Sequence, residues 1–177
     1  MKRTHKHLLF SLTLIIIIMV SCDLFNDLID FSFVSDEVEI GFTVNPSEAG
    51  EYTFVEKIMQ SDIEAEIQEN GGQMVDLKNV TVEEARLEML TTGENLDAFN
   101  RAEVFIKSDS QPEIMIGSVE NIGDGLLSVD FVITDASVLQ FLEDEEYTVR
   151  VAGYLGEDIL TTVDLAVYVR YKVEVGS

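Results

Sequence analysis

Carboxylates are the groups of this chain that are best suited to metal binding or catalysis. They occur in three clusters: Asp36-Glu37-Glu39, Glu83-Glu84 and Glu143-Asp144-Glu145-Glu146. Several converging carboxylates can bind calcium, and two of them facing each other across a sugar-sized cleft can hydrolyse a glycoside. No D-x-D-x-D-G loop is present in the sequence. The nearest fragment, Asn121-Ile122-Gly123-Asp124-Gly125, is explained more simply by a hairpin turn. We therefore interpret the clusters as solvated acidic surface.

The single cysteine, Cys22, follows directly after an apolar run that begins at Leu8. Three basic residues precede the run, and residues 1–21 contain no acidic residue. The run is shorter than the stretch of about 20 residues that a membrane-spanning helix needs. This layout is typical of a secretory signal peptide, and the alternatives are an uncleaved signal anchor or a free buried thiol.

The end of the run, Met19-Val20-Ser21-Cys22, resembles the lipobox of Gram-negative bacterial lipoproteins. The resemblance implies that Cys22 is lipidated with acyl chains such as palmitate and that residues 1–21 are cleaved. Met19 departs from the pattern, because leucine is commonest at that position. Asp23 resembles the inner-membrane retention signal of enteric bacteria, which does not hold in all Gram-negative groups. We expect the protein to be anchored in the outer membrane. The sequence does not decide between the periplasmic face and the surface face of that membrane.

Cleavage would remove both histidines, His5 and His7, and three of the 11 basic residues. Eight basic residues would then face 34 acidic ones, and the formal charge would fall from −23 to −26. Such a surface repels nucleic acids, so we expect no nucleic-acid partner. Without histidine or a free thiol, the usual nucleophilic triads and His- or Cys-ligated zinc sites are excluded. We expect no catalytic residue, no cofactor and no metal site.

Alternation of apolar and polar residues predicts the fold class. The clearest strand lies in residues 163–174, where every second residue is apolar and Arg170 lies on the opposite face. Other strands are predicted at residues 38–44, 102–106, 127–133 and 147–151, and weaker ones at 52–58, 84–91 and 113–119. Hairpin turns are expected around Pro112 and at Gly123 to Gly125. We predict a mainly β fold, an antiparallel two-sheet sandwich that is immunoglobulin-like or related.

Two segments predict short helices. Ser61-Asp62-Ile63-Glu64 has the form of a capping box, and Gly71-Gly72 marks the end of that helix. In residues 135–142, Asp135 can cap a helix with an apolar stripe. Residues 79–90 are ambiguous, because Asn79 can also cap a helix, but their spacing of apolar residues favours a strand.

We divide the chain into a signal peptide, residues 1–21, a short membrane-proximal segment, residues 22–35, and one β-sandwich domain, residues 36–177. The patterns in residues 85–90, 96–99 and 102–106 resemble small β-sandwich lipoproteins of bacteria. This resemblance implies no catalytic residues.

The function expected from these features is that of a membrane-tethered, non-enzymatic interaction or structural protein of the bacterial envelope. Its partners would be the membrane, through the lipid on Cys22, and an envelope protein or a glycan. One alternative is a module that binds a glycan or another small ligand in a groove lined by Tyr147, Tyr154, Tyr168 and Tyr171, although strand tyrosines usually lie in cores. A second alternative is a carboxylate-dependent hydrolase, which needs two acids with opposed pKa shifts in one cleft.

Overall fold

The computed structural model describes residues 30–176, so the predicted signal peptide and Cys22 lie outside the described residues. The described chain forms ten strands, a 3-10 turn at Met74–Asp76 and two short α-helices. The strands are β1 (Phe31–Val34), β2 (Val38–Val44), β3 (Gly50–Gln60), β4 (Leu77–Met89), β5 (Phe99–Lys107), β6 (Ile114–Glu120), β7 (Ser128–Asp130), β8 (Val132–Ile133), β9 (Glu146–Leu155) and β10 (Val163–Val175). The helices are α1 (Ile63–Glu69) and α2 (Leu139–Leu142).

The strands form two antiparallel sheets packed as a sandwich. In the first sheet, β10 pairs with β4 along one edge. Its other edge pairs with β1 and β2, which follow one another along it. β7 pairs with the far edge of β4. The second sheet has the order β3-β9-β5-β6-β8. The predicted antiparallel two-sheet sandwich is therefore confirmed.

The core lies between the inward faces of the two sheets, as the alternation predicts. Every second residue of β10 is buried, namely Val163, Leu165, Val167, Val169, Tyr171 and Val173. The second sheet contributes buried residues that include Val104, Ile106, Val149 and Val151. Each fully buried aliphatic side chain of this kind contributes about 1.5–3 kcal/mol of transfer free energy, so burial of the inward face of β10 stabilises the first sheet.

The prediction of one strand over residues 127–133, with a hairpin at Gly123 to Gly125, is wrong. β7 pairs with β4 in the first sheet, whereas β8 pairs with β6 in the second. The chain crosses between the sheets at buried Phe131, whose N–H donates to the carbonyl oxygen of Ala85 at 2.9 Å. Leu127, predicted to face inward, is 61 % exposed. The other predicted hairpin, around Pro112, is confirmed by the pairing of β5 with β6.

Both predicted helices exist, but their predicted caps are wrong. α1 begins after Asp62 without a side-chain cap, because Ser61 Oγ donates instead to the carbonyl oxygen of Leu142. α2 begins after Val138, so Asp135 does not cap it. The Ser61 N–H also donates to the carbonyl oxygen of Glu145 at 3.0 Å. Tertiary hydrogen bonds between the two helical segments thus replace the predicted local cap.

Residues 79–90 lie mostly within β4, so the strand interpretation of that segment is confirmed. β1 places residues 31–34 in the first sheet, although they belong to the segment expected to precede the domain. Neither helix in the described part of the chain is long and apolar enough to cross a membrane.

Candidate functional site

A pocket of about 390 Å³ lies at the end of the sandwich that α1 covers. The connection between β1 and β2, the end of β3, helix α1 and one tyrosine each from β9 and β10 form its walls. The lining contains five carboxylates, from Asp36, Glu37, Asp62, Glu66 and Glu69. Within residues 30–176, no lysine, arginine or histidine lines it. We call this cavity the α1 pocket.

Helix α1 points its acidic residues at the pocket because its apolar residues are buried beside them. Ile63 and Ile67 are 6 % and 0 % exposed, and they fix the rotation of the helix. Asp62, Glu66 and Glu69 are spaced by four and three residues. This spacing places them in one line on the helix surface, next to the line of the two isoleucines. Burial of the two isoleucines therefore holds the acidic line beside the cavity.

Ser35 fixes the opposite wall of the pocket at the break between β1 and β2. Its N–H donates to the carbonyl oxygen of Tyr171 at 2.8 Å, and its Oγ accepts the Tyr171 N–H at 2.9 Å. The same Oγ donates to the carbonyl oxygen of Asp36 at 2.8 Å. These bonds replace the missing strand pairing and hold Asp36 close to Tyr171.

Tyr171 is a wall residue of the pocket, and its hydroxyl group is enclosed by protein. Its side chain is buried, solvent does not reach Tyr171 Oη, and the Tyr147 side chain interacts with it. Burial raises the pKa of Tyr171 well above its ordinary value, and neighbouring Tyr147 and Glu66 raise it further. The phenol is therefore neutral.

Glu66 carries the second enclosed polar atom of the pocket. Within residues 30–176, its Oε2 atom is buried without a hydrogen-bond partner. Desolvation raises the pKa of Glu66, and the like charges of Asp36, Asp62 and Glu69 raise it further. The ionised form of Glu66 is therefore less favourable in the folded protein than in water.

Glu37 is the one pocket carboxylate that the described chain neutralises. It accepts hydrogen bonds from Arg86 Nη1 at 2.7 Å and Arg86 Nη2 at 3.2 Å, and Arg170 Nη2 lies 3.5 Å from it. Asp36, Asp62, Glu66 and Glu69 have no ion pair within residues 30–176. The α1 pocket thus has four carboxylates without an ion pair in residues 30–176, as has a second cavity lined by Glu94, Asp97, Glu157 and Asp158.

The arrangement is suited to holding a positive group. A hydrolytic pair needs opposed pKa shifts in one cleft, but the carboxyl groups with lowered pKa values lie outside the pocket. The hydrogen bond from Arg150 lowers the pKa of Glu113, and hydrogen bonding by Ser108 and Ser110 lowers that of Asp144. No group of three or more His, Cys, Asp or Glu side chains in residues 30–176 is arranged to hold a metal ion.

The fold disperses the three acidic clusters of the sequence. From the first cluster, Asp36 and Glu37 line the pocket. From the second, Glu84 pairs with Arg170 at 3.0 Å. From the third, Asp144 accepts a hydrogen bond from Ser110 at 2.7 Å and Glu146 accepts one from Gln60 Nε2 at 2.6 Å.

The structure also places the predicted groove tyrosines apart from one another. Tyr147 and Tyr171 line the pocket, whereas Tyr168 lies under the guanidinium of Arg86, 4.4 Å from ring centre to Cζ, and Tyr154 is partly exposed elsewhere. The four tyrosines therefore do not form one groove. The fragment Asn121 to Gly125 is a loop tied by a hydrogen bond from the Gly125 N–H to Asp97. Cys22, the predicted lipidation site, lies outside the described residues.

Sequence reasoning missed the acidic line of α1, formed by Asp62, Glu66 and Glu69. Its signal was present, because these residues recur at helical spacing directly beside the two isoleucines that mark the buried face. The role of Tyr171 had no sequence signal, since it occupies an ordinary inward position of β10. Only the packing of α1 and Ser35 around it makes it part of the pocket wall.

Comparison with known proteins does not assign this chain to a family. No protein-family model matches the chain, and no curated protein matches it. Among solved structures, a chain from Desmodium yellow mottle tymovirus is similar over 82 % of this chain and 82 % of its own length, with 5 % sequence identity and a TM-score of 0.23. A likeness at that level supports no argument about this protein.

Proposed function

We propose that this chain is a membrane-tethered, non-enzymatic binding protein of the bacterial envelope, anchored by lipid on Cys22. Its α1 pocket binds a positively charged group of an envelope partner. The observation that carries the proposal is the pocket itself, which is lined by four carboxylates without an ion pair in residues 30–176 and by no basic side chain of that range.

Charge pairing in the rest of the described chain supports this proposal. Seven of the eight basic residues in residues 30–176 lie within ion-pair distance of a carboxylate. On the second sheet, for example, Arg150 Nη2 lies 2.6 Å from Glu113, and its guanidinium stacks on Phe105 at 3.9 Å. These basic residues pair with nine carboxylates of residues 30–176, and of the five pocket carboxylates only Glu37 is among the nine. A concave site of one charge sign attracts ligands of the opposite sign.

The tether is supported by the lipobox-like sequence that ends at Cys22. Acyl chains bind a bilayer with about 0.8 kcal/mol per buried CH₂, so several chains hold a protein without a spanning helix. β1 begins at Phe31, so the residues between it and Cys22 span at most about 30 Å even when fully extended. A lipid on Cys22 would therefore keep the sandwich close to the membrane, and we propose the outer membrane.

Replacement of Cys22 by serine is expected to abolish palmitate incorporation and to leave the protein soluble in the periplasm or uncleaved. The reason is that serine lacks the thiol that receives the diacylglycerol. Metabolic labelling with palmitate, followed by separation of inner and outer membranes, measures both effects. Glu64→Gln, a change on the exposed side of α1, is the control and should label as the wild type does. Labelling that persists after Cys22→Ser would refute the anchor.

A further inference from the structure

We propose that Lys57 prevents the free edge of β3 from pairing with a second copy of this chain. β3 lies at one end of the second sheet, and within residues 30–176 it pairs only with β9. Two observations support the proposal. β3 is the longest edge strand of the described sheets, and Lys57 occupies a position on its inward face. The strand therefore carries a charge where an incoming strand would bury it.

The length of β3 makes its edge a possible site of pairing. β3 has 11 residues, whereas β7 and β8, at the far edges of the two sheets, have three and two. A free strand edge presents unpaired N–H and C=O groups to other molecules, and short edge strands limit such pairing. β3 lacks this protection, and Ile58, which is 65 % exposed, adds an apolar contact on its outer face. Another feature must therefore protect β3 if the chain is to stay monomeric.

The register of β3 with β9 places Lys57 on the inward face. Lys57 lies opposite Val149 of β9, and Val55 and Met59 lie opposite two further buried residues of the same strand. Side chains directly opposite each other in an antiparallel pair lie on the same face of the sheet. Lys57 therefore belongs to the inward row of β3, although its side chain is exposed at the open edge. An inward charge on an edge strand is a known means of blocking strand addition.

Lys57 is also the one basic residue of the described chain that takes part in no ion pair there. The other seven basic residues of residues 30–176 each lie within ion-pair distance of a carboxylate. The adjacent Glu56, on the outer face of β3, pairs with Lys107 of β5. A strand added to β3 would therefore enclose an ammonium group that no carboxylate of residues 30–176 compensates. Burial of such a charge is unfavourable.

Regular antiparallel pairing of two β3 strands does not supply the missing carboxylate. Such pairing places side chains of the same face opposite each other. In residues 55–60, beyond the register shift between Thr53 and Val55, the inward row consists of Val55, Lys57 and Met59. Lys57 of one copy would thus face one of these three residues of the other. Pairing with Lys57 opposes two like charges, and the other two pairings bury the ammonium against an apolar side chain.

The test is the oligomeric state of the full chain, solubilised in a density-matched detergent and measured by sedimentation equilibrium. Lys57→Val removes the charge and leaves a side chain that suits a strand. Lys57→Glu keeps a charge at the same position. Lys172→Val is the matched control, because it removes a lysine from β10, which has strands on both of its edges. Hydrogen exchange of the backbone amides identifies the strand at which copies meet.

We expect the wild type, Lys57→Glu and Lys172→Val to be monomers, and Lys57→Val to self-associate about ten-fold or more tightly than they do. In the associated variant, the amides of β3 should exchange more slowly than in the wild type, and those of β7 and β8 should not change. Circular dichroism verifies that each variant is folded. If Lys57→Val does not fold, Lys57→Met, which keeps an unbranched stem, replaces it with the same expected result.

A wild-type dimer whose β3 amides lose protection on dilution would overturn the proposal, and so would uncharged variants of Lys57 that are folded and as monomeric as the wild type. Equal association of Lys57→Glu and Lys57→Val would show that a charge at this position does not block pairing. Equal association of Lys172→Val would show that loss of any lysine is sufficient. Slower exchange confined to strands other than β3 would assign the association to a different surface.

Discussion

Replacement of Val167 by aspartate is expected to unfold the domain. Val167 is 0 % exposed and lies in the middle of β10, opposite Ile40 of β2 on one side and Leu87 of β4 on the other. Both of these neighbours are buried apolar residues, so a carboxylate at this position gains no partner. The cost of such burial is several kcal/mol, a large part of a typical total stability of about 5–15 kcal/mol.

The same substitution at an exposed strand position is the matched control. Val132 of β8 is 74 % exposed, so Val132→Asp should change the free energy of unfolding by about 0.5 kcal/mol or less. Denaturant unfolding of both variants, followed by circular dichroism, measures the difference. Equal tolerance of the two changes would show that the inward face of β10 has been assigned incorrectly.

Gly153→Ala is expected to produce the second large loss of stability. Gly153 lies in β9 between two strands, opposite Tyr52 of β3 and Ala102 of β5. A Cβ atom at this position would overlap the carbonyl oxygen of Arg101 and lie 3.0 Å from Ala102 Cα. Because these atoms belong to the backbone, they cannot rotate away, and β9 must separate from β5. Strain of this kind costs about 1–3 kcal/mol or more.

Gly41→Ala in β2 provides the control for the loss of a strand glycine. A Cβ atom there would meet only Glu39 Oε1, at an ordinary contact distance of 3.6 Å. This variant should be as stable as the wild type or slightly more stable, because alanine restricts the unfolded chain. Thermal unfolding of the two alanine variants tests the comparison, and a Gly153→Ala protein as stable as Gly41→Ala would contradict it.

The inward faces of most strands could be predicted from sequence because a half-buried strand requires period-two alternation. β2, β5, β9 and β10 all follow that rule. Strand partners could not be predicted in the same way, because alternation defines a face and not a neighbour. Val129, Phe131 and Ile133 all remain inward although β7 and β8 belong to different sheets.

The pocket was beyond prediction for a different reason. It joins Asp36, helix α1 and Tyr171, which are far apart in the sequence and are brought together only by tertiary contacts. Ser35 is the most informative case, because a buried serine between two short strands gives no sequence signal. Its three hydrogen bonds nevertheless place Asp36 next to Tyr171. The same competition between tertiary and local bonds explains why Ser61 does not cap α1.

Photo-crosslinking in the native envelope tests the central claim most directly, that a tethered domain binds a positively charged partner through the α1 pocket. A photoreactive residue in place of Ala65, an exposed residue of the pocket wall, reports on an occupant of the pocket, and one in place of Met115 on β6 reports on a distant surface. We predict an adduct from position 65 that high salt weakens. The Asp62→Asn, Glu66→Gln double variant should lose this adduct, and Glu64→Gln should retain it. An adduct that the double variant keeps, or adducts that are the same from both positions, would contradict the account.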